Sequence, residues 1–232
     1  MSEPIPLRLP AVDPASAALP PADVTPELVA GLLADGDDEL AAWALRTEME
    51  AVGRAACYDG LLRDAMALVG ERWVAGRWSI AEEHLASRTL LRTLDSIRPQ
   101  PGPEGRVGPL AVLAGVAGEE HMIGLVCLEH ALIEDGWVVA NLGADLPAHD
   151  LGRFVASNAV SLVCLSANSA ELAGTLAETV RAVRLAAGTR SLPVIVGGGV
   201  TATPGVAEAA GASLIARSVR EATSIARSHR AA

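Results

Sequence analysis

Lysine is missing from this chain of 232 residues: all 18 basic side chains are arginine, set against 28 acids for a formal net charge of -10. A surface with that balance repels phosphate backbones, so no direct nucleic-acid binding is expected. Cysteine is scarce as well. Cys57, Cys127 and Cys164 are odd in number, scattered and set among apolar neighbours. That pattern excludes a disulfide framework or a zinc cluster and predicts buried, reduced thiols. No apolar run reaches the roughly 18 to 20 residues that a bilayer span requires, and the N-terminus has no basic stretch followed by an apolar core. No membrane association is expected, and the expected location is the cytoplasm. Neither a Ser/His/Asp nucleophile elbow nor a phosphate loop occurs, so hydrolase and kinase chemistry find no support.

What is present divides into two halves. Residues 1–23 hold Pro4, Pro6, Pro10, Pro14, Pro20 and Pro21 with alanine and serine, a composition that predicts an unpacked tail. Residues 24–98 predict a four-helix bundle. Thr25-Pro26-Glu27 reads as an N-cap and first turn, with Gly36 closing the first helix. Asp37 and Asp38 open a second that runs to about Cys57, and Leu62, Ala65, Met66, Val69 and Trp73 mark a third at helical spacing, ending near Gly76. Ser79 with Glu82 forms a capping box for the fourth, which continues to about Ile97. Three prolines and two glycines between Pro99 and Gly105 then make residues 99–108 a linker.

From 109 to 232 apolar runs alternate with amphipathic helices, at Leu110 to Val116, Val138 to Leu142, Ser161 to Leu165, Pro193 to Val196 and Ser213 to Ala216. Near-continuous apolar strands separated by helices predict a flavodoxin-like, five-stranded parallel sheet with helices on both faces. Ligands of such sheets bind at the carboxyl ends of the strands. Three candidates sit at such ends: His121, Ser166 and the triplet Gly197-Gly198-Gly199. His121 belongs to Glu119-Glu120-His121-Met122-Ile123-Gly124, an E-x-H-x-x-G stretch in the first strand-to-helix turn. A carboxylate two residues before an imidazole fixes its tautomer and raises its basicity, as partners of metal-ligating histidines do, and Gly124 lets a bulky group approach the backbone. The triplet formally fits a dinucleotide fingerprint but lies on the wrong strand, while the first turn carries two glutamates that would repel a pyrophosphate. Its three glycines are expected to admit something flat.

A second constellation lies in the helical half, where Trp73, Glu83 and His84 form W-x9-E-H across a helix-turn-helix junction. The spacing puts Glu83 and His84 on the side of the fourth helix that carries Ile80, Ser87, Leu90, Leu91, Leu94 and Ile97, which is expected to be buried. Ionisable groups there cost several kcal/mol unless something polar meets them. Trp43, Trp78 and Trp137 read as packing. His130, His149 and His229 have no metal-site spacing and read as structural or solvent-facing.

A helical bundle, a Pro/Gly linker and an α/β domain opening with E-x-H-x-x-G resemble cobalamin-binding modules, over residues from about Thr25 to the C-terminus. Leu142-Gly143-Ala144-Asp145-Leu146-Pro147 is similar to the L-G-x-x-x-P turn of that family. The resemblance implies that His121 is the lower cobalt ligand and Glu119 its orienting partner. It also implies that Ser166, Gly197 and Gly198 line a channel for the cofactor's nucleotide tail. Where the family has S-x-L, this chain has Ser166-Ala167-Asn168, which leaves open whether Ser166 or Ser169 meets the tail. Metal binding through a neutral imidazole competes with protons, so acidification is expected to displace His121.

Within those modules W-x9-E-H resembles the CarH-type light sensors that bind adenosylcobalamin. That resemblance implies that Trp73 shields the adenosyl group, Glu83 contacts it and His84 reaches cobalt after the group is lost. It implies no catalytic turnover, and an output read as a change in packing and self-association, hence a homo-oligomer. Those regulators carry a DNA-binding domain ahead of the bundle. The tail here holds no helix-turn-helix, so the expected route to transcription is pairing with a DNA-binding regulator. The alternative is a corrinoid carrier of a cobalamin-dependent methyltransferase system, with methylcobalamin as its form. A cofactor-free α/β scaffold would leave His121, His84 and the glycine triplet without a shared purpose.

Overall fold

The computed structural model describes residues 23–100 and 107–230, so the expected tail, apart from Asp23, and residues 101–106 of the expected linker lie outside the described residues. Helix α1 (Pro26–Ala34) starts where the Thr25 hydroxyl accepts from the Leu28 N–H at 3.2 Å, and α2 (Asp38–Val52) where Asp37 does the same for Leu40 at 3.0 Å. The second helix ends at Val52 and not near Cys57, because Gly53 takes a φ of 84° that reverses the chain. Helix α3 (Arg54–Cys57) then passes through a single π-helical turn (Tyr58–Leu62) into α4 (Arg63–Val74), making one nearly continuous rod. Ser79 and Glu82 form a reciprocal capping box at the start of α5 (Ile80–Ser96).

The buried stripe of α5 is Ala86, Thr89, Leu90, Thr93 and Leu94. Of the expected stripe, Ile80 and His84 are exposed and Glu83, Ser87 and Leu91 are half-buried. The α1–α2 turn lies beside Leu85, where the position a Gly36 Cβ would take is 3.8 Å away, and burial of α5 begins at the next residue, Ala86. Nothing from Ser79 to His84 is buried, so the first turn of α5 projects past the end of the bundle core. Trp43 and Trp78 pack half-buried against that core and Trp137 is buried, whereas Trp73 keeps 47% of its surface exposed.

The second half is a five-stranded, all-parallel sheet in the order β2-β1-β3-β4-β5, the flavodoxin-like arrangement. Its strands are β1 (Leu110–Gly115), β2 (Val138–Asn141), β3 (Val160–Ser166), β4 (Val194–Gly197) and β5 (Leu214–Ile215). Alternate residues face opposite layers. Val112, Ala114, Val163, Leu165 and Val196 meet α7 (Ala148–Ser157) and α8 (Ala173–Ala187). Ala111, Leu113, Leu162, Cys164 and Ile195 meet α6 (Ile123–Glu134) and α10 (Val219–Arg230). A short α9 (Val206–Ala209) precedes β5.

The bundle docks on α6 and α10. Arg54 Nε donates to Glu134 at 2.7 Å, Arg98 to Glu129 at 2.5 Å, and Tyr58 shares a 2.9 Å hydrogen bond with His130 Nδ1. The Asp59 carboxylate accepts the backbone N–H groups of Val219 at 2.7 Å and Arg220 at 2.9 Å, capping α10 from across the seam. Cys127 of α6 joins the apolar core of the bundle itself. All three cysteines are free and buried, and burial pushes the Cys57 and Cys164 thiols up to about 12, which keeps them protonated and unreactive.

Candidate functional site

The carboxyl ends of β1, β3 and β4 meet in one place. After Val116 the chain turns at Gly118, whose φ is 85°, and buries Glu119 while leaving the His121 side chain 75% exposed. Glu119 is a charge taken out of water and must be compensated. One oxygen accepts from the His121 backbone N–H at 2.8 Å and lies 2.6 Å from His121 Nδ1, and the other accepts from the Asn168 N–H. A carboxylate at Nδ1 calls for the proton there, which leaves Nε2 as a lone pair aimed outward.

The turn after β2 braces this loop from the other side. Asp145 takes a φ of 54° and accepts from the Gly118 N–H at 2.8 Å, while its own N–H donates to the Glu119 carbonyl at 2.9 Å. Aspartate is among the few residues that adopt this left-handed conformation readily, and here it places the carboxylate where it caps the neighbouring turn. Its part is not apparent from sequence, because the L-G-x-x-x-P pattern marks a turn and not what the turn holds.

Beside His121 a cavity of about 310 Å³ runs between the sheet and the seam, lined mainly by apolar side chains. Of the expected site residues, His121, Gly124, Ser166, Gly197 and Gly198 line it. Ser169 does not: its hydroxyl accepts from the Glu171 N–H at 3.1 Å and caps a short 3-10 turn, so of the two serines Ser166 is the one at the cavity. The bundle contributes Tyr58, Asp59, Leu62, Arg63 and Met66, none of them expected at the site, although Leu62 and Met66 belong to the apolar stripe that marks the helix in sequence. A π-helical turn in this position would have been the only signal, and it leaves no mark on residue spacing.

The glycine triplet departs from expectation in its cause. A Cβ on Gly198, whose φ is 93°, would stand 2.5 Å from the Ala167 carbonyl oxygen, and one on Gly199 would strike the Asn168 carbonyl. Gly198 and Gly199 are thus required by the chain's own β3 turn, and Gly197 and Gly198 line the cavity as well. Gly124, by contrast, has open space where a Cβ would go.

Trp73, Glu83 and His84 line no part of the cavity. Glu83 accepts from the Ser87 hydroxyl at 2.7 Å and stands 3.6 Å from His84 Nε2, so the polar company expected for it is local. Yet the placement of Trp73 is not random. Arg63, Met66, Gly70 and Trp73 follow steps of three, four and three along α4 and share one face of the helix. That face closes the cavity at Arg63 and Met66, is bare at Gly70, and carries the half-exposed indole about 10 Å further on by helix rise.

His149, 3.2 Å from Asp150, is exposed, and His229 lies on the last turn of α10. Among the described residues no group of three or more His, Cys, Asp or Glu side chains could hold a metal, and no helix is long and apolar enough to cross a membrane. The site therefore offers one imidazole nitrogen. That suits a metal whose other positions are filled from elsewhere, next to a narrow apolar slot.

Comparison with known proteins identifies the family. A family model described as a B12 binding domain matches residues 109–226, and a second, also described as a B12 binding domain, matches residues 27–98. The transcriptional repressor CarH of Myxococcus xanthus is 37% identical over 141 residues, covering 61% of this chain and 46% of CarH. The repressor CarA of the same organism is 35% identical over 130 residues, covering 53% of this chain and 41% of CarA. The matched part thus spans less than half the length of either curated relative. In fold the chain is similar to the monomethylamine corrinoid protein of Methanosarcina barkeri, with a TM-score of 0.67 at 16% identity, over 86% of this chain and 95% of that one.

Proposed function

Taking as premise that this chain belongs to the B12-binding domain family, we propose that it is an adenosylcobalamin-dependent light sensor whose output is a change in the packing of its two halves and in its association with copies or partners. The residues fit cobalamin. A corrin ring fills four positions around cobalt, and this chain presents one neutral imidazole nitrogen, His121 Nε2, beside a 310 Å³ slot of the right scale for a flat nucleotide tail. In this reading Glu119 holds the His121 tautomer, and Ser166, Gly197 and Gly198 line the tail channel. When bound, the cofactor supplies a cobalt–carbon bond that light cleaves.

The observation that carries the sensor reading is the continuous face of α4. Its Met66 closes the slot beside His121, its Gly70 leaves room for a broad group, and its Trp73 stands beyond as an exposed indole that packs against nothing expected of a core tryptophan. In this reading Glu83 and His84, at the projecting start of α5, turn onto the same space when the cofactor is present. A group seated against that face joins bundle to α/β half, and its loss leaves the seam to the polar ties of Arg54, Tyr58, Asp59 and Arg98. The W-x9-E-H likeness and the similarity to the CarH repressor support regulation over catalysis.

A second reading, a corrinoid carrier for methyl transfer, is favoured by one observation: His121 is 75% exposed and neither Trp73 nor His84 covers it. The two are separated by loading the apoprotein in darkness with adenosylcobalamin and with methylcobalamin, then recording spectra and hydrodynamic size before and after illumination. Selective uptake of the adenosyl form with a light-driven change in size is the expected result. Equal uptake of both forms with no change in size replaces the sensor by the carrier.

A further inference from the structure

Asn168, an exposed residue, ties two turns together at the carboxyl edge of the sheet. Its backbone N–H donates to Glu119, and its side-chain oxygen accepts from the Gly199 N–H at 2.7 Å. An amide that meets an N–H donor must present its oxygen there, so the amide nitrogen is directed away from Gly199. That nitrogen makes no hydrogen bond among the described residues, and Asn168 lines the cavity together with Ser166, Gly197 and Gly198. The neighbouring backbone completes the clasp: Val200 N–H donates to the Ala167 carbonyl at 2.9 Å and Ala167 N–H to the Gly197 carbonyl at 3.1 Å.

We propose that Asn168 determines specificity for the ligand's tail, fixing the glycine turn with its oxygen and offering its amide N–H groups to an acceptor on the tail. The proposal rests on the cobalamin reading above. A side-chain amide is suited to this double task because its acceptor and donors sit on opposite arms of one rigid plane. Leucine has nearly the same shape and neither group, so Asn168→Leu removes both arms without leaving a hole. Asn168→Asp keeps the acceptor for Gly199 and removes the donors.

The test titrates wild type and both variants in darkness with adenosylcobalamin and with adenosylcobinamide, the same corrinoid without the nucleotide tail. Exchange of the Gly199 amide hydrogen in each apoprotein reports the clasp without any cofactor. For Asn168→Leu the expected result is adenosylcobalamin affinity weakened about fivefold or more, an unchanged adenosylcobinamide affinity, and faster Gly199 exchange, the worth of ordinary hydrogen bonds lost. For Asn168→Asp the Gly199 amide stays protected while adenosylcobalamin binding is weakened. Unchanged cobalamin affinity in the leucine variant, an equal loss for both corrinoids, or wild-type binding in the aspartate variant each overturn the proposal. Failure of the wild type to bind either corrinoid instead defeats the cobalamin reading on which it stands.

Discussion

Tyr58 donates its hydroxyl hydrogen to Nδ1 of His130, because the same oxygen already accepts from Arg54 Nη1 at 3.1 Å. His130 therefore carries its own proton on Nε2, the opposite tautomer to His121, and one phenol joins an arginine of the bundle to an imidazole of α6. Burial, reinforced by the charges of Arg54 and Arg98, pushes His130 down to about 4.

Stability should therefore fall on acidification. The folded chain keeps His130 neutral while the unfolded chain takes up a proton below its ordinary value of about 6.5, so the contribution is complete above pH 6.5 and lost as pH drops towards 4, to about 3 kcal/mol. Urea unfolding of the apoprotein at pH 7 and pH 4.5 checks this. His130→Gln should show a flatter pH dependence over that window than wild type, and equal slopes would assign the acid sensitivity elsewhere.

Glu119 is buried to 1% exposure and spends both oxygens on His121 and Asn168. Glu119→Gln keeps the shape but weakens the hold on the Nδ1 proton. Corrinoid affinity should fall about 10- to 100-fold, the range typical when the partner of a metal-ligating histidine is changed. His121→Ala should go further and abolish the absorption signature of imidazole coordination, and a spectrum identical to wild type would remove His121 from cobalt.

Asp59 stands on the π-helical turn and satisfies two N–H groups of a helix in the other half. Asp59→Ala should cost about 1 to 2 kcal/mol, the usual worth of an N-cap, and should speed hydrogen exchange at Val219 and Arg220 before it affects β1. Uniform acceleration throughout the chain would mean that the contact is not a local cap.

At Gly198 a methyl group meets both a forbidden backbone angle and the Ala167 carbonyl. Gly198→Ala is expected to destabilise the apoprotein by about 1 to 3 kcal/mol, read as a fall in Tm. Gly124→Ala, with open space around it, should leave apoprotein stability within about 0.5 kcal/mol and reveal itself only on loading with corrinoid.

Trp73 separates stability from recognition. Being 47% exposed, it should tolerate Trp73→Ala with a change of no more than about 1 kcal/mol in the apoprotein. The preference for adenosylcobalamin over methylcobalamin should nevertheless diminish in spectral titrations. A variant that keeps the full preference would detach the indole from the upper ligand.

Much of this architecture is legible in residue order. The five apolar runs are the five strands, and the caps at Thr25, Asp37 and Ser79 are where helices begin, because strand burial and helix capping are local properties. What escapes is what depends on distant partners. Gly53 breaks α2 through its φ, a freedom any glycine has and few use. The start of α5 is exposed because no other element of the bundle covers it, and periodicity within one helix cannot register that. Likewise His130 looks idle in sequence because its partner stands 72 residues earlier, and Asn168 looks like a plain substitution until the Gly199 amide is seen against it.

The bond from Asp59 to Val219 spans 160 positions and supplies the opening of α10. The helix has a local cap as well, where the Ser218 hydroxyl accepts from the Glu221 N–H at 3.0 Å, so only the Val219 and Arg220 N–H groups depend on the other half. Those two groups are satisfied only once the π-helical turn meets the far half of the chain. Contacts of such long sequence separation are slow to close. Until the halves meet, the first turn of α10 should therefore exchange its amide hydrogens faster, and the cavity beside His121 should lack the wall that Tyr58, Leu62 and Met66 supply.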